Sequence, residues 1–154
     1  MVPIESAAFS IQVIDTTCIT EIKTNLKNKT ASENTVIAFN RLLKKADRFM
    51  LMKNPSVMDK GMTPPSGDKH DYMSLSRYWW PNPDTPDQLP WIRKDGETNP
   101  TSQSDIVDRN RLGQMAEGVW NLSLAYYYTV NKAYAKKPVS LIATTFVNVE
   151  TDMN

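Results

Sequence analysis

Cysteine and histidine are almost missing from this chain, whose 154 residues hold one of each, Cys18 and His70. A single chain therefore cannot build a disulfide framework or a zinc centre of the Cys/His kind. A Cys–His nucleophilic pair is open only arithmetically, since nothing around Cys18 supports it. Charge of one sign is missing too. Lys and Arg total 18 against 17 Asp and Glu, a formal net charge of +1. That balance gives no electrostatic ground for binding nucleic acid or an anionic membrane surface. No run approaches the ~18 apolar residues of a spanning helix. The start, Met1-Val2-Pro3-Ile4-Glu5-Ser6, lacks the basic residue and unbroken apolar stretch of a secretory signal. The expectation is a cytoplasmic chain, or one whose export signal has been removed or lost. With 40% apolar and 23% charged residues, the composition is that of one ordinary globular domain rather than a disordered tail.

What is present is mostly helical period. Phe9, Ile11 and Val13 alternate with polar residues, which suits a short strand. Cys18, Ile22 and Leu26 then fall four apart, the spacing of one helix face over about three turns. Thr30-Ala31-Ser32-Glu33 has the form of a capping box, with Thr30 as the cap. Val36, Phe39, Leu43, Ala46 and Met50 follow at spacings of three and four, until Asn54-Pro55 ends the helix. Helix resumes near Ser104, read as an N-cap, with Asp105 and Asp108 placed to complement the dipole. Its apolar stripe is Leu112, Met115, Val119, Leu122 and Tyr126. Gly113 and Gly118 inside that stripe imply the close approach of another element. Asn131 suits a turn, and a further helix starts near Lys132. Pro138 is expected to kink or break it, and the β-branched stretch 139–149 is ambiguous. The fold class is mainly α, with antiparallel neighbours implied by the short connection at Asn131. Residues 1–30 read as an N-terminal extension with a short helix, and residues 31–154 as the main domain.

Between the helices, residues 54–104 carry no sustained period. Eight of the ten prolines and three of the four tryptophans lie there. Loops longer than about 15 residues in compact domains are functional or disordered, and disordered segments are poor in aromatics. Tyr72, Tyr78, Trp79, Trp80 and Trp91 therefore mark an ordered, functional loop. Flat aromatic faces stack on the C–H face of sugar rings, while Tyr and Trp hydrogen-bond at their polar ends. Lys69, His70, Arg77 and Asn82 offer partners for hydroxyls or carboxylates, and Arg holds a carboxylate with two parallel hydrogen bonds. The other reading is that the Pro-flanked tryptophans plug the end of a helical core. His70 taken alone reads more readily as a structural, hydrogen-bonded histidine than as a catalytic base. Asp68 and Asp71 read as turn formers rather than a cation site.

The segment TPPSGDKHDYMSLSRYWWPNPDTPDQLPWIRKDGETNP, residues 63–100, closely resembles the N-terminal signature of the alginate lyase family of polysaccharide lyases. The similarity extends back through LLKKADRFMLMKNPSVMDKGM. It runs forward through DRNRLGQMAEGVWNLSLAYYYT to KAYAKKPVSLIATTFVNVETDMN, covering about residues 36–154. The resemblance implies an (α/α) toroid of helical hairpins, here incomplete, with substrate in a groove or tunnel. It implies β-elimination of an anionic uronate polysaccharide such as alginate, no metal or organic cofactor, and a periplasmic or secreted location. It names Asn or Arg for the carboxylate and His and Tyr for proton transfer, in motifs that map onto no residue here, so the catalytic residues stay unknown. Tyr72, Arg77, Tyr78, Trp79, Trp80 and His70 are the expected substrate-binding residues. Family members are commonly twice this length, so the chain reads as a truncated N-terminal portion. The alternative is a non-catalytic carbohydrate-binding remnant. Trp120, Tyr126, Tyr127, Tyr128 and Phe146 would then be partly stranded, inviting self-association.

Overall fold

A computed structural model describes residues 14–154, so the strand expected over Phe9–Val13 lies outside the described residues. The chain divides into two compact units, one ending at Leu43 and one running from Lys44 to Asn154.

In the first unit, α1 spans Thr16–Asn28. Asp15 caps it, its Oδ1 accepting from the amides of Thr17 at 2.9 Å and Cys18 at 3.1 Å. Both bonds satisfy donors that a helix start leaves without partners. Lys29 adopts the left-handed conformation at φ 60°, and the Thr30 amide then donates to the Asn25 carbonyl at 2.9 Å. Thr30 therefore closes α1 instead of opening the next helix. The capping role belongs to Ser32, whose Oγ accepts from the Thr35 amide at 3.2 Å and whose carbonyl accepts from Val36. This places the cap two residues later than expected, because the left-handed turn at Lys29 already uses Thr30. From there α2 runs Glu33–Leu51 and carries the chain into the second unit.

The second unit is built on a hairpin of α3, Arg109–Thr129, and α4, Lys132–Phe146. Val130 in the left-handed conformation ends α3, and the Asn131 side chain accepts from the Ala133 amide at 3.0 Å to start α4. The two helices pack on each other. Leu122 and Ala125 of α3, Leu141 of α4 and Ala46 from the end of α2 are fully buried. Gly118 is what lets them approach. A Cβ there would lie 3.0 Å from Leu141 and 3.2 Å from Phe49. Gly113 has no such neighbour within 4 Å, so its expected close contact is absent. Pro138 does not break α4, which continues through it. Its ring is buried against the hairpin, and packing of that face outweighs the one hydrogen bond a proline removes. No described helix is long and apolar enough to cross a membrane.

Between α2 and α3 the long segment holds two single-turn 3-10 helices, Val57–Asp59 and Pro100–Gln103, and one antiparallel ribbon. The ribbon pairs β1, Trp79–Trp80, with β2, Ile92–Arg93, in the register Trp79 to Arg93 and Trp80 to Ile92. Ser104 follows the second 3-10 turn, its amide donating to the Thr101 carbonyl at 3.2 Å. The helix it was expected to cap starts at Arg109 instead, because the Pro100 turn intervenes.

Candidate functional site

The aromatic segment is ordered from beneath by an ion pair that contacts almost no water. The Lys60 ammonium lies 3.0 Å from Asp108 Oδ2, with side-chain exposures of 0% and 1%. Burying two charges is tolerated only when each is also hydrogen-bonded. Lys60 Nζ donates to the carbonyls of Val57 at 2.9 Å and Lys69 at 2.6 Å. Asp108 Oδ2 accepts from the Met73 amide at 2.9 Å, and the Asp108 amide donates to the Met73 carbonyl at 2.8 Å. One pair thus ties the first 3-10 turn, the loop at residues 69–73 and the start of α3. Asp108 stands at the N-cap of α3 but makes no capping bond, because its carboxylate is turned to Lys60 and Met73. Arg111 stitches the same region, donating to the carbonyls of Val107, Asp59 and Asp105. Asp59 hydrogen-bonds the Lys53 ammonium at 2.8 Å, which lowers its carboxyl below the ordinary value.

A strap after α4, residues 147–154, fastens the loop from the other side. Ser56 Oγ donates to the Thr151 carbonyl at 2.8 Å, and the Asn154 amide donates to the His70 carbonyl at 3.1 Å. His70 Nδ1 lies 2.9 Å from the Asp152 carbonyl oxygen and 3.2 Å from its Oδ1. Both are acceptors, so Nδ1 carries a hydrogen and donates. The His70 amide donates to Asp68 Oδ1 at 2.8 Å, the turn expected of that aspartate. The Asp152 carbonyl bond, joined by the charges of Asp68 and Asp152, raises the His70 pKa above its ordinary 6.5. The cation of His70 is thus already matched by carboxylates. Tyr72 and Met153 border one small cavity with Asp108, Arg111 and Thr145.

The tryptophans stand on the ribbon. Neighbouring strand residues point to opposite faces, so Trp79 and Trp80 do not form one flat platform. Trp79 shares a face with Arg93, its cross-strand partner. The Arg93 guanidinium is paired with Asp95, Nε to Oδ1 at 2.7 Å. On the other face the Lys94 ammonium sits 5.2 Å from the centre of the Trp80 ring. The Lys94 amide donates to the Tyr78 carbonyl at 2.9 Å, which extends the ladder one step and sets Lys94 opposite Tyr78, on the same face as Trp80. The turn from Lys94 to Glu97 passes through Gly96 at φ 85°, where a side chain would be strained. It delivers the Glu97 carbonyl to Trp80 Nε1 at 3.4 Å. Asn99, 2% exposed, clamps the base of the ribbon. Its amide donates to the Arg77 carbonyl and its Nδ2 to the Trp79 carbonyl, each at 2.8 Å.

Tyr78 and Trp79 are therefore held together on one ribbon while remaining 40% and 41% exposed, and Trp80 is half-buried. Arg77 precedes the same ribbon and is exposed. Tyr72 is also exposed, but it and His70 belong to the strapped turn rather than to the ribbon. Four residues that matter to this arrangement, Lys60, Asp108, Asn99 and Lys94, have no periodic signature. Asn99-Pro100 signals a turn, Asp108 signals a helix start by its charge, and Lys60 and Lys94 have no local signal.

Residues 56–154 match the family model Alginate lyase. Among solved structures, the crystal structure of an alginate lyase from Bacteroides ovatus is 47% identical, with a TM-score of 0.75. The match covers 88% of this chain and 35% of that one, so the present chain spans about a third of its relative's length. No curated protein matches the chain.

Proposed function

This chain belongs to the alginate lyase family, and we propose on that premise that it is the N-terminal, substrate-holding part of a polysaccharide lyase. The reaction is β-elimination on an anionic uronate polymer of the alginate kind. One observation carries the proposal. The matched region presents Tyr78, Trp79 and Trp80 on a ribbon clamped at its base, partly exposed rather than sealed into the hairpin core. That exposure favours a binding surface over a plug.

Elimination requires three things. A donor or cation neutralises the uronate carboxylate so that the C5 proton becomes acidic. A base removes that proton, and an acid protonates the departing C4 oxygen. This chain supplies the first kind of group in Arg77 and stacking surface in Tyr72, Tyr78, Trp79 and Trp80. His70 is the only histidine, and it belongs to the strapped turn rather than to the ribbon that carries the stacking rings. That favours binding without turnover in residues 1–154, the remaining groups belonging to further helices of an (α/α) toroid built on residues 31–154. The polymer is met in the periplasm or outside the cell.

The test is calorimetry of an oligomannuronate with the chain, together with ultraviolet absorbance of the unsaturated product. Binding without product is expected. Trp80→Ala is expected to weaken binding by about 1–3 kcal/mol while the fold is retained. Unchanged affinity together with lost stability returns Trp80 to a plug. Product formation that His70→Ala abolishes without unfolding makes His70 the base.

A further inference from the structure

The two faces of the ribbon carry the same residue chemistry in different electrostatic states. Each pairs an indole with a cation: Trp79 with Arg93, and Trp80 with Lys94. On the Trp79 face the cation is already spent, because Arg93 Nε lies 2.7 Å from Asp95 Oδ1. On the Trp80 face Lys94 forms no ion pair with any described residue, and its ammonium rests 5.2 Å from the indole centre. The ring holds the ammonium by its quadrupole and leaves its N–H donors for another acceptor. Trp80 is itself fixed by Nε1 bonding to the Glu97 carbonyl. The pair therefore offers an oriented cation beside a partly exposed apolar ring.

We propose that Lys94 and Trp80 form a uronate subsite, in which the Lys94 ammonium takes the sugar carboxylate and the indole takes the C–H face of the same ring. The inference rests on the reading of the chain as a uronate binder and goes beyond it. It adds to Arg77 a second carboxylate partner, at the β2 end of the ribbon and on its Trp80 face. Arg93 itself, paired with Asp95, adds no charge selectivity to the Trp79 ring beside it.

The experiment measures binding of an oligomannuronate and of its carboxyl-methyl ester by calorimetry, with circular dichroism as the check on folding. Lys94→Met is expected to weaken the acid form about fivefold, the scale of an exposed charge pair, and to leave the ester unchanged. Lys94→Arg restores the acid form, and Arg93→Met alters neither ligand's charge preference. Loss of affinity for both ligands alike in Lys94→Met, or for neither, overturns the subsite while uronate binding by the wild type stands. No binding of the acid form by the wild type overturns the subsite together with the uronate reading. Charge preference that moves with Arg93→Met instead places the carboxylate on the opposite face and overturns the assignment.

Discussion

The α3–α4 hairpin and the aromatic segment before it are ordered by opposite means. The hairpin buries Leu122, Ala125 and Leu141 completely, with Gly118 admitting Leu141 and Phe49 at close range. The aromatic segment keeps Tyr72, Tyr78 and Trp79 exposed and is tied down by polar groups: Lys60 to Asp108, Asn99 to two carbonyls, His70 to Asp152. Apolar packing is non-directional and tolerates exchange. A buried ion pair and a clamping amide are directional, so each is lost whole when one partner goes. The segment thus holds its rings at the surface because its order does not depend on burying them.

The comparison is tested most severely at Lys60. Lys60→Met leaves Asp108 buried with the Met73 amide and with Arg111 3.8 Å from Oδ1, and is expected to cost about 3–5 kcal/mol in chemical denaturation. Leu122→Ala is expected to cost a similar ~2–5 kcal/mol by opening a cavity. Hydrogen exchange separates them. Lys60→Met should deprotect the Met73 and Lys94 amides ahead of α3, and Leu122→Ala should deprotect α3 and α4 first. Equal loss in both regions from either variant would merge the two into one cooperative unit.

A smaller effect sharpens the hairpin side. Gly118→Ala gains helix propensity but drives a methyl against Leu141, which is fully buried and cannot move aside. A net loss of about 1 kcal/mol is expected, since overpacking costs ~1–3 kcal/mol and alanine returns up to ~1 kcal/mol. Gly113→Ala meets nothing within 4 Å, and thermal melting should show a gain of up to ~1 kcal/mol.

The smallest effect is the pH dependence of the strap. The His70 pKa is raised in the folded chain above its ordinary 6.5. Its contribution is therefore full below the unfolded value and is lost as pH rises through the folded value. As His70 is the sole histidine, one ring resonance in an NMR titration reports it without assignment ambiguity. Asp152→Asn should lower that pKa only in part, because the backbone carbonyl bond survives the substitution. A folded His70 titrating below 6.5 would contradict its bond to Asp152 of the strap.

The helices were legible in the sequence because each repeats its apolar residues at a spacing fixed by the backbone. Cys18, Ile22 and Leu26 located α1. Val36 through Met50 located α2, and Leu112 through Tyr126 located α3. Caps were legible in kind but misplaced, by two residues at Thr30 and by four at Ser104, because several short polar residues compete for one helix start and the neighbouring turn decides among them. Pro138 was misjudged for a related reason: local propensity favours a break, and burial against the hairpin overrides it.

The aromatic loop was legible as an ordered loop from its density of Trp, Tyr and Pro, and its family from the long motif over residues 63–100. Its internal order was not. The Lys60–Asp108 pair joins residues 48 positions apart, and His70 meets Asp152 across 82. No local pattern encodes such a meeting, since neither residue type nor spacing says which distant carboxylate a cation will find. The sequence by itself determined the first three helices, the start of the fourth, an ordered aromatic loop and the family. Only the tertiary structure decided which face each tryptophan takes, which cations are left unpaired, and what anchors the loop. These depend on strand register and long-range closure, which emerge only once the helices have packed.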